Sequence, residues 1–221
     1  MKETISVLIV EDHPIVQMGL RGLILTEPGF SLAGEASDGL EAVTKALELK
    51  PDIILMDLLM PKKDGIEAIR DILEGNPEAR ILILTSFVDA DKIIPAVRAG
   101  ALGYILKDAL PQEIIDAIRD IHAGKVYFHH AIVRQLFRVS AQQSNQDQIP
   151  LESLTEREVE VLKMVAQGFS NEEIAKRLAI SHHTVGVHIG RILEKLAVTN
   201  RTQAALYALR TGLVSLYERK T

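Results

Sequence analysis

The chain has 221 residues, of which 47% are hydrophobic and 25% are charged, and it contains no cysteine. This composition is typical of a soluble globular protein, and the missing thiols exclude disulfides, thiolate metal sites and cysteine nucleophiles. No apolar run approaches the roughly 18 residues of a membrane span, and no N-terminal segment resembles a signal peptide. We therefore expect a cytoplasmic protein.

The charge is distributed unevenly. Residues 1–150 hold 15 Lys and Arg against 22 Asp and Glu, a balance of −7, whereas residues 151–221 hold 10 against 8, a balance of +2. A mildly basic second part permits nucleic-acid binding but does not require it.

Strand-like and helix-like patterns alternate along residues 1–124. Apolar runs predict strands at Ser6–Val10, Ser31–Ala36, Ile53–Asp57, Ile81–Thr85 and Gly103–Leu106, with helices near 14–26, 39–49, 65–75, 90–99 and 111–123. Successive βα units predict an α/β fold in which helices cover both faces of a parallel sheet. We expect the flavodoxin-like strand order 2-1-3-4-5. No G-x-G-x-x-G follows the first strand, so dinucleotide binding is not indicated.

The composition changes after this first domain, which we place at residues 1–124. Residues 125–139 are expected to connect the domains, with a helix in their second half, and residues 140–148 are polar and nearly free of apolar side chains. Such a segment cannot bury a core, so residues 125–150 are interpreted as a connecting helix and a flexible linker. The second domain then covers residues 151–221.

The second domain has the start signals of short helices. Capping boxes of the S/T-x-x-E type begin at Thr155 and Ser170, and further helix starts stand at Ser181 and Asn200. A supporting helix at Asn171–Ala179, a short turn and a second helix at Ser181–Leu196 predict a helix-turn-helix, whose second helix would lie in the major groove of DNA. The alternative is a helical bundle that binds a protein or only forms dimers.

Polar side chains stand at the predicted carboxyl ends of neighbouring strands. Glu11 and Asp12 follow the first strand, Asp57 ends the third, Thr85 ends the fourth and Lys107 follows the fifth. Each residue alone has an ordinary structural explanation, as a turn, strand or surface residue. The parallel order nevertheless places all of them at one edge of the sheet, where open α/β sheets bind their ligands.

Three carboxylates in one cleft repel each other unless a cation is present. Mg²⁺ suits such a set, and the backbone carbonyl of Met60 would add a further oxygen ligand to Glu11, Asp12 and Asp57. The ion, Lys107 and Thr85 would together stabilise a phosphoryl group transferred to the Asp57 carboxylate. A dehalogenase-type phosphatase would require a second acid two residues after Asp57, where Leu59 stands, so we do not expect an enzyme of that class.

These motifs resemble the receiver domain of two-component response regulators, and the resemblance covers the whole first domain. It is carried by Glu11–Asp12, Met56–Pro61, Asp64–Gly65, Leu84–Ser86 and Tyr104–Lys107. The resemblance implies that Asp57 accepts a phosphoryl group from a histidine kinase and that Thr85 and Tyr104 form a switch, with Tyr104 moving inward on phosphorylation. The family usually has proline after the lysine, where this chain has Asp108.

The second domain resembles the DNA-binding domain of the NarL/FixJ/LuxR family. The resemblance rests on Leu154–Glu158, Gly168, Ser170–Asn171, Ile174–Ala175, Thr184–Val185, His188, Lys195–Leu196 and Asn200–Ala204. It implies binding to promoter DNA as a homodimer, with the helix after Asn200 as the dimer surface. Within this family, Asp12–His13, Met56–Met60, Leu84–Phe87 and Arg201–Ala204 are most similar to the LiaR and VraR regulators.

One departure affects the predicted DNA contacts. Lysine is frequent in that family where this chain has His183 and Gly186, and Gly190 also falls on the DNA-facing side. Base readout is therefore expected to be sparse, through Val187 and DNA shape, with mainly phosphate contacts elsewhere. The predicted DNA-binding residues are His182, His183, Thr184, Val187, Arg191, Lys195 and Arg201. The alternative is a phosphorylation-controlled protein-interaction module with weak or lost sequence-specific DNA binding.

Overall fold

The computed structural model describes residues 4–86, 90–128 and 153–214. The polar linker and the helix expected before it lie outside the described residues.

The first domain is built on a parallel sheet. Its strands are β1 (Ile5–Val10), β2 (Phe30–Ala36), β3 (Ile53–Met56), β4 (Ile81–Thr85), β5 (Gly103–Leu106) and β6 (Tyr127–Phe128), in the order β2-β1-β3-β4-β5-β6. The predicted order of the first five strands is confirmed. The added strand β6 pairs in parallel with β5 through Gly103–Tyr127 and Tyr104–Phe128. The sheet therefore continues beyond residue 124, into the segment that we had assigned to the connection.

Helices cover both faces of the sheet. They are α1 (Pro14–Thr26), α2 (Gly39–Leu49), α3 (Gly65–Gly75), α4 (Ala90–Ala99) and α5 (Pro111–His122). Successive strand residues alternate between two buried clusters, so that Val7 and Ile9 pack with α1 and α5, whereas Leu8 and Val10 pack with α2, α3 and α4. Strands buried on both faces explain why their sequences are continuous apolar runs rather than alternating patterns.

The second domain is a small helical unit with its own core. It contains α6 (Glu156–Ala166), α7 (Asn171–Leu178), α8 (His182–Lys195) and α9 (Arg201–Arg210). The capping boxes predicted at Thr155 and Ser170 are both formed, and the side chains of Ser181 and Asn200 cap α8 and α9. The core contains Val161, Leu162, Ile174, Val185, Ile192 and Ala208, all buried.

The two domains touch through α4 and α9. The Asn200 side-chain amide donates a hydrogen bond to the Val97 carbonyl oxygen (3.0 Å), while its side-chain oxygen accepts from the Gln203 amide (2.9 Å) and so caps α9. Leu206 on α9 packs against the first domain's core cluster, and Lys125 forms an ion pair with Glu173 of α7 (3.2 Å). Asn200 therefore serves its own helix and the domain contact at once.

Among the described residues, every helix is too short or too polar to cross a membrane.

Candidate functional site

The carboxyl edge of the sheet brings Glu11, Asp57 and Lys107 together as predicted. The Lys107 ammonium lies 2.9 Å from Asp57 Oδ2 and 2.6 Å from Glu11 Oε2. Asp57 is 3% exposed and Glu11 is 1% exposed, so both carboxylates are buried. Burial alone would lower the pKa of Lys107, but its hydrogen bonds to Glu11 and Asp57 outweigh that effect and raise it. Lys107 therefore bridges the two buried carboxyl groups.

The backbone around Asp57 fixes the direction of its carboxylate. Asp57 Oδ1 accepts a hydrogen bond from the Leu58 amide at 2.7 Å, which leaves Oδ2 directed at Lys107. Gly65, at the start of α3, packs so closely that a Cβ there would lie 2.3 Å from the Asp57 carbonyl oxygen. The glycine after the predicted turn is thus required by the close approach of two backbone segments.

The acidic cluster fits a divalent cation. Ligand atoms of Glu11, Asp12, His13 and Asp57 all lie within 4.8 Å of one another. A hard cation prefers oxygen ligands, and three carboxylates supply them. Met60 follows within three residues of Asp57 and is partly buried against the neighbouring core cluster. The donor set is therefore compatible with Glu11, Asp12 and Asp57 as Mg²⁺ ligands, and the Met60 carbonyl stays a prediction.

Thr85 and Tyr104 lie beside this edge on the adjacent strands β4 and β5. Both are buried, with exposed fractions of 2% and 1%. The Thr85 carbonyl oxygen accepts a hydrogen bond from the Lys107 amide at 2.7 Å, which fixes the start of the β5–α5 loop. Tyr104 belongs to the core cluster that also contains Val97 of α4. Its ring therefore already lies inward in this structure.

The helix-turn-helix exposes part of the predicted DNA-binding set. His182, His183, Val187 and Arg191 are exposed on α8, and Thr184 is partly buried, its hydroxyl 2.8 Å from that of Ser181. Val185 and Ile192 of the same helix are buried in the domain core. The outward face of α8 is therefore open, whereas the domain contact involves α9 and α7. The described part of the receiver domain therefore leaves His182, His183, Val187 and Arg191 of α8 exposed.

The last two predicted DNA contacts, Lys195 and Arg201, point inward. Lys195 Nζ lies 2.6 Å from Glu158 Oε2, and Glu158 is buried. The Arg201 guanidinium donates to Asn171 Oδ1 and to the Phe169 carbonyl oxygen, and burial lowers the pKa of Arg201 to about 10. Both cations hold the helices of this domain together in the structure, which reduces the positive charge on its DNA-facing side.

The two glycines of α8 have no internal packing requirement. A Cβ added at Gly186 or at Gly190 would meet no atom within 4 Å, and neither glycine has a positive φ. Their cost to helix stability is therefore not offset by any described contact within the chain.

Comparison with known proteins identifies the family. Residues 7–119 match the response regulator receiver domain, and residues 152–208 match the bacterial regulatory proteins of the luxR family. The chain belongs to the response regulators. This response regulator therefore joins a receiver domain to a LuxR-type DNA-binding domain and is a transcription regulator.

Individual relatives match over almost the whole chain. The transcriptional regulatory protein LiaR of Bacillus subtilis (strain 168) is 44% identical over 211 residues, which are 96% of this chain and 100% of LiaR. VraR of Staphylococcus aureus (strain Mu3) is 40% identical over 211 residues, which are 96% of this chain and 99% of VraR. The predicted resemblance to both is confirmed.

Solved structures of response regulators agree with this assignment. ChrA, from a heme-sensing two-component system, matches with a TM-score of 0.52 and 34% identity, over 96% of this chain and 99% of ChrA. RcsB in a complex with DNA matches with a TM-score of 0.57 and 26% identity, over 94% of this chain and 99% of RcsB.

Two residues of functional interest were missed from the sequence. His13 joins the acidic cluster, and the adjacency of Asp12 and His13 was a usable signal. Asn200 was assigned only as a helix cap, and its second contact, with Val97, has no local signal because 103 residues separate the two.

Proposed function

We propose that this response regulator is a phosphorylation-gated transcription regulator acting in the cytoplasm. In this proposal, a sensor histidine kinase phosphorylates Asp57, and phosphorylation controls dimerisation and binding to promoter DNA. The observation that carries it is the buried Asp57 carboxylate, held 2.9 Å from Lys107 beside the acidic cluster. The contact between α4 and the DNA-binding domain allows a structural change at Asp57 to reach the DNA-binding domain.

The phosphoryl transfer uses residues that the fold has already positioned. An Asp57 carboxylate oxygen attacks the phosphorus of a phosphohistidine, so that a P–O bond forms and the P–N bond breaks. Lys107 donates a hydrogen bond to the transferred phosphoryl group. Thr85, at the carboxyl end of β4, donates its hydroxyl hydrogen to the same group. Mg²⁺, held by Glu11, Asp12, Asp57 and the Met60 carbonyl, would neutralise the developing negative charge when bound.

The signal then reaches the second domain through α4 and β5. The α4 carbonyl of Val97 accepts from Asn200, and Leu206 packs on the cluster that contains Tyr104. A rearrangement of Thr85 on phosphorylation, beside the already inward ring of Tyr104, would alter the surface on which α9 rests. Release of α9 would free the helix that the family resemblance assigns to dimerisation.

A second surface also supports dimerisation. Ile15, Met18 and Leu25 of α1 are exposed by 81%, 65% and 62%, and together with Gly22 they form an uncharged stripe along the helix. A Cβ on Gly22 would meet no atom within 4 Å. We propose that two copies pair their α1 helices antiparallel around a two-fold axis, because Met18 then faces the partner's Gly22 and Ile15 faces the partner's Leu25. This stripe lies on the opposite side of the sheet from the α4–α9 contact.

The first experiment is DNA binding by the full chain with Mg²⁺, with and without beryllofluoride as an aspartyl-phosphate mimic. DNA ligands would be enriched from a random duplex pool, and affinity measured by fluorescence anisotropy at fixed salt, because phosphate contacts make affinity salt-dependent. We expect binding to tighten for the wild type and to stay unchanged for Asp57→Ala. Equal binding with and without the mimic in the wild type would refute gating by Asp57.

A second candidate function is a protein-interaction module controlled by phosphorylation. It is favoured by Gly186 and Gly190 on the outward face of α8 and by the internal pairing of Lys195 and Arg201. No enrichment of DNA in any state, with beryllofluoride still driving dimerisation, would support this candidate over the first.

A further inference from the structure

His13 lies next to the acidic cluster and has no role in capping its helix. It is the N-cap residue of α1, its side chain forms no capping hydrogen bond, and Pro14 at the first helical position has no amide hydrogen to satisfy. Its backbone amide instead donates to Glu11 Oε1 at 3.1 Å, which fixes the chain against that carboxylate. The imidazole is therefore not needed to cap the N-terminus of α1.

The imidazole is directed toward the carboxylates. His13 Nδ1 lies 2.8 Å from Asp12 Oδ1 and 3.3 Å from Glu11 Oε1. Lys107 contacts Glu11 and Asp57, and no ion pair joins it to Asp12 among the described residues. The Asp12 and His13 side of the cluster is also its open side, since the His13 side chain is 69% exposed and that of Asp12 is 25% exposed.

We propose that His13 supplies a nitrogen ligand to the divalent cation of this site and shifts its preference from Mg²⁺ toward Mn²⁺ and related transition metals. The inference rests on the proposed function, which requires a cation at this cluster. It is carried by the position of a His13 ring nitrogen within 4.8 Å of ligand atoms of Glu11, Asp12 and Asp57.

The chemistry of the donor set supports the preference. Mg²⁺ selects oxygen ligands and retains several waters, so a nitrogen in its coordination sphere adds little affinity. Imidazole binds first-row transition metals well, and affinity rises along the series from Mn²⁺ toward Cu²⁺. One imidazole among three carboxylates therefore discriminates between two ions of equal charge. A histidine that only bonds to Asp12 would leave this discrimination unchanged.

The test uses electron paramagnetic resonance of Mn²⁺ bound to the full chain. Loss of the free-ion signal on titration gives the affinity, and pulsed measurements report whether a nitrogen nucleus is directly coordinated. The variants are His13→Gln, Asp12→Asn and, as a matched control, His182→Gln, which changes an exposed histidine on α8. Competition with Mg²⁺ in the same samples gives the affinity for the second ion.

We expect a nitrogen coupling of a coordinated imidazole in the wild type and in His182→Gln, and its loss in His13→Gln. The same variant should lose about tenfold in Mn²⁺ affinity while its Mg²⁺ affinity changes by less than about twofold. Asp12→Asn should weaken both ions.

Three results would overturn the proposal. Mn²⁺ binding that depends on Asp12 but shows no nitrogen coupling in the wild type would remove His13 as a ligand and leave the proposed function standing. A nitrogen coupling that survives in His13→Gln and disappears in His182→Gln would place the bound ion on α8 instead. No divalent binding sensitive to Asp12→Asn would overturn both this inference and the cation requirement of the proposed function.

Discussion

Replacing Gly186 and Gly190 by alanine tests whether these glycines lower the stability of the second domain without serving a contact inside the chain. Both glycines lie inside α8, and an added Cβ at either position has open space around it. Glycine in a helix interior is about 0.8–1.0 kcal/mol less favourable than alanine. The double variant should therefore stabilise the second domain by roughly 1.5–2 kcal/mol, if no other term changes.

The expected shift is large enough to measure on the full chain. One kcal/mol moves the midpoint of a domain of 60–100 residues by about 4–8 °C, so the transition of the second domain should rise by roughly 6–16 °C. Far-UV circular dichroism would follow the transition, and hydrogen exchange of the α8 amides would assign it to this domain. Gly168→Ala is the control, because Gly168 has a φ of +85° and alanine there is strained by about 1–2 kcal/mol.

Two outcomes carry different meanings. Unchanged or lowered stability in Gly186→Ala/Gly190→Ala, beside the expected loss in Gly168→Ala, would refute the claim that the two glycines lack an internal role. Higher stability together with weaker DNA binding would mean that the missing side chains allow close approach of the DNA backbone.

Four further predictions concern charge, coupling and assembly. Gly186→Lys should strengthen DNA binding and steepen the slope of log affinity against log salt by about 0.9, the value for one added phosphate contact. The control is Thr44→Lys, on the exposed face of α2. An equal effect of both variants on DNA binding would contradict a local contact at Gly186. Asn200→Ala should destabilise α9 by about 1 kcal/mol and increase exchange of its amides, whereas Asn200→Asp should keep the cap and lose only the donor to Val97; indistinguishable variants would argue against the domain contact. Burial alone would raise the pKa of Glu158, but Lys195 and Thr155 lower it below its usual value of 4.5. The stabilisation from Glu158 is therefore complete above pH 4.5 and is lost as the pH falls through the lowered pKa. Urea unfolding should show that Glu158→Gln destabilises the protein at pH 7 and does so less in acid, and a difference that stays constant with pH would exclude this linkage. Met18→Glu should weaken the beryllofluoride-induced dimer by more than about tenfold, because a charge would face the partner's Gly22 between apolar side chains. Analytical ultracentrifugation would measure the dimer, with Thr44→Glu as the control. Equal dimerisation of both variants would remove α1 from the interface.

Most of the fold follows from local signals in the sequence. The strands of the first domain are apolar runs bounded by turn residues, and the predicted helices 14–26, 39–49, 65–75 and 90–99 match the observed bounds. Strand β6 was missed because two residues, Tyr127 and Phe128, carry no periodicity. Its pairing with β5 depends on where α5 returns the chain, which is a tertiary property.

The sites were predictable where topology alone fixes the side chains. Strand order places Asp57 and Lys107 at one edge, and the structure joins them with an ion pair. The direction of a long cationic side chain was not predictable in this way, because Lys195 and Arg201 were expected to contact DNA yet bond to Glu158 and Asn171. The helical period assigns residues only to faces about 100° wide. A long flexible side chain at the border of a face can point either way, and its direction depends on the partners that lie near it.

The domain contact sets the scale of regulation that phosphorylation must overcome. Its described contacts include the Asn200–Val97 hydrogen bond, the Lys125–Glu173 ion pair with both side chains partly exposed, and the partly buried Leu206. A net hydrogen bond contributes about 0.5–1.5 kcal/mol, an exposed pair about 0–1, and partial burial of a leucine about 1–2, so these three contacts are worth roughly 1.5–4.5 kcal/mol. At 1.4 kcal/mol for each tenfold change, these contacts favour the docked arrangement by about 10- to 1,600-fold. A phosphoryl group need only supply a comparable difference between the two states of α4, and this requirement overlaps the usual coupling energies of about 1–3 kcal/mol. Dimerisation then adds a concentration-dependent term, so the same phosphorylation should produce a steeper response as the protein concentration rises.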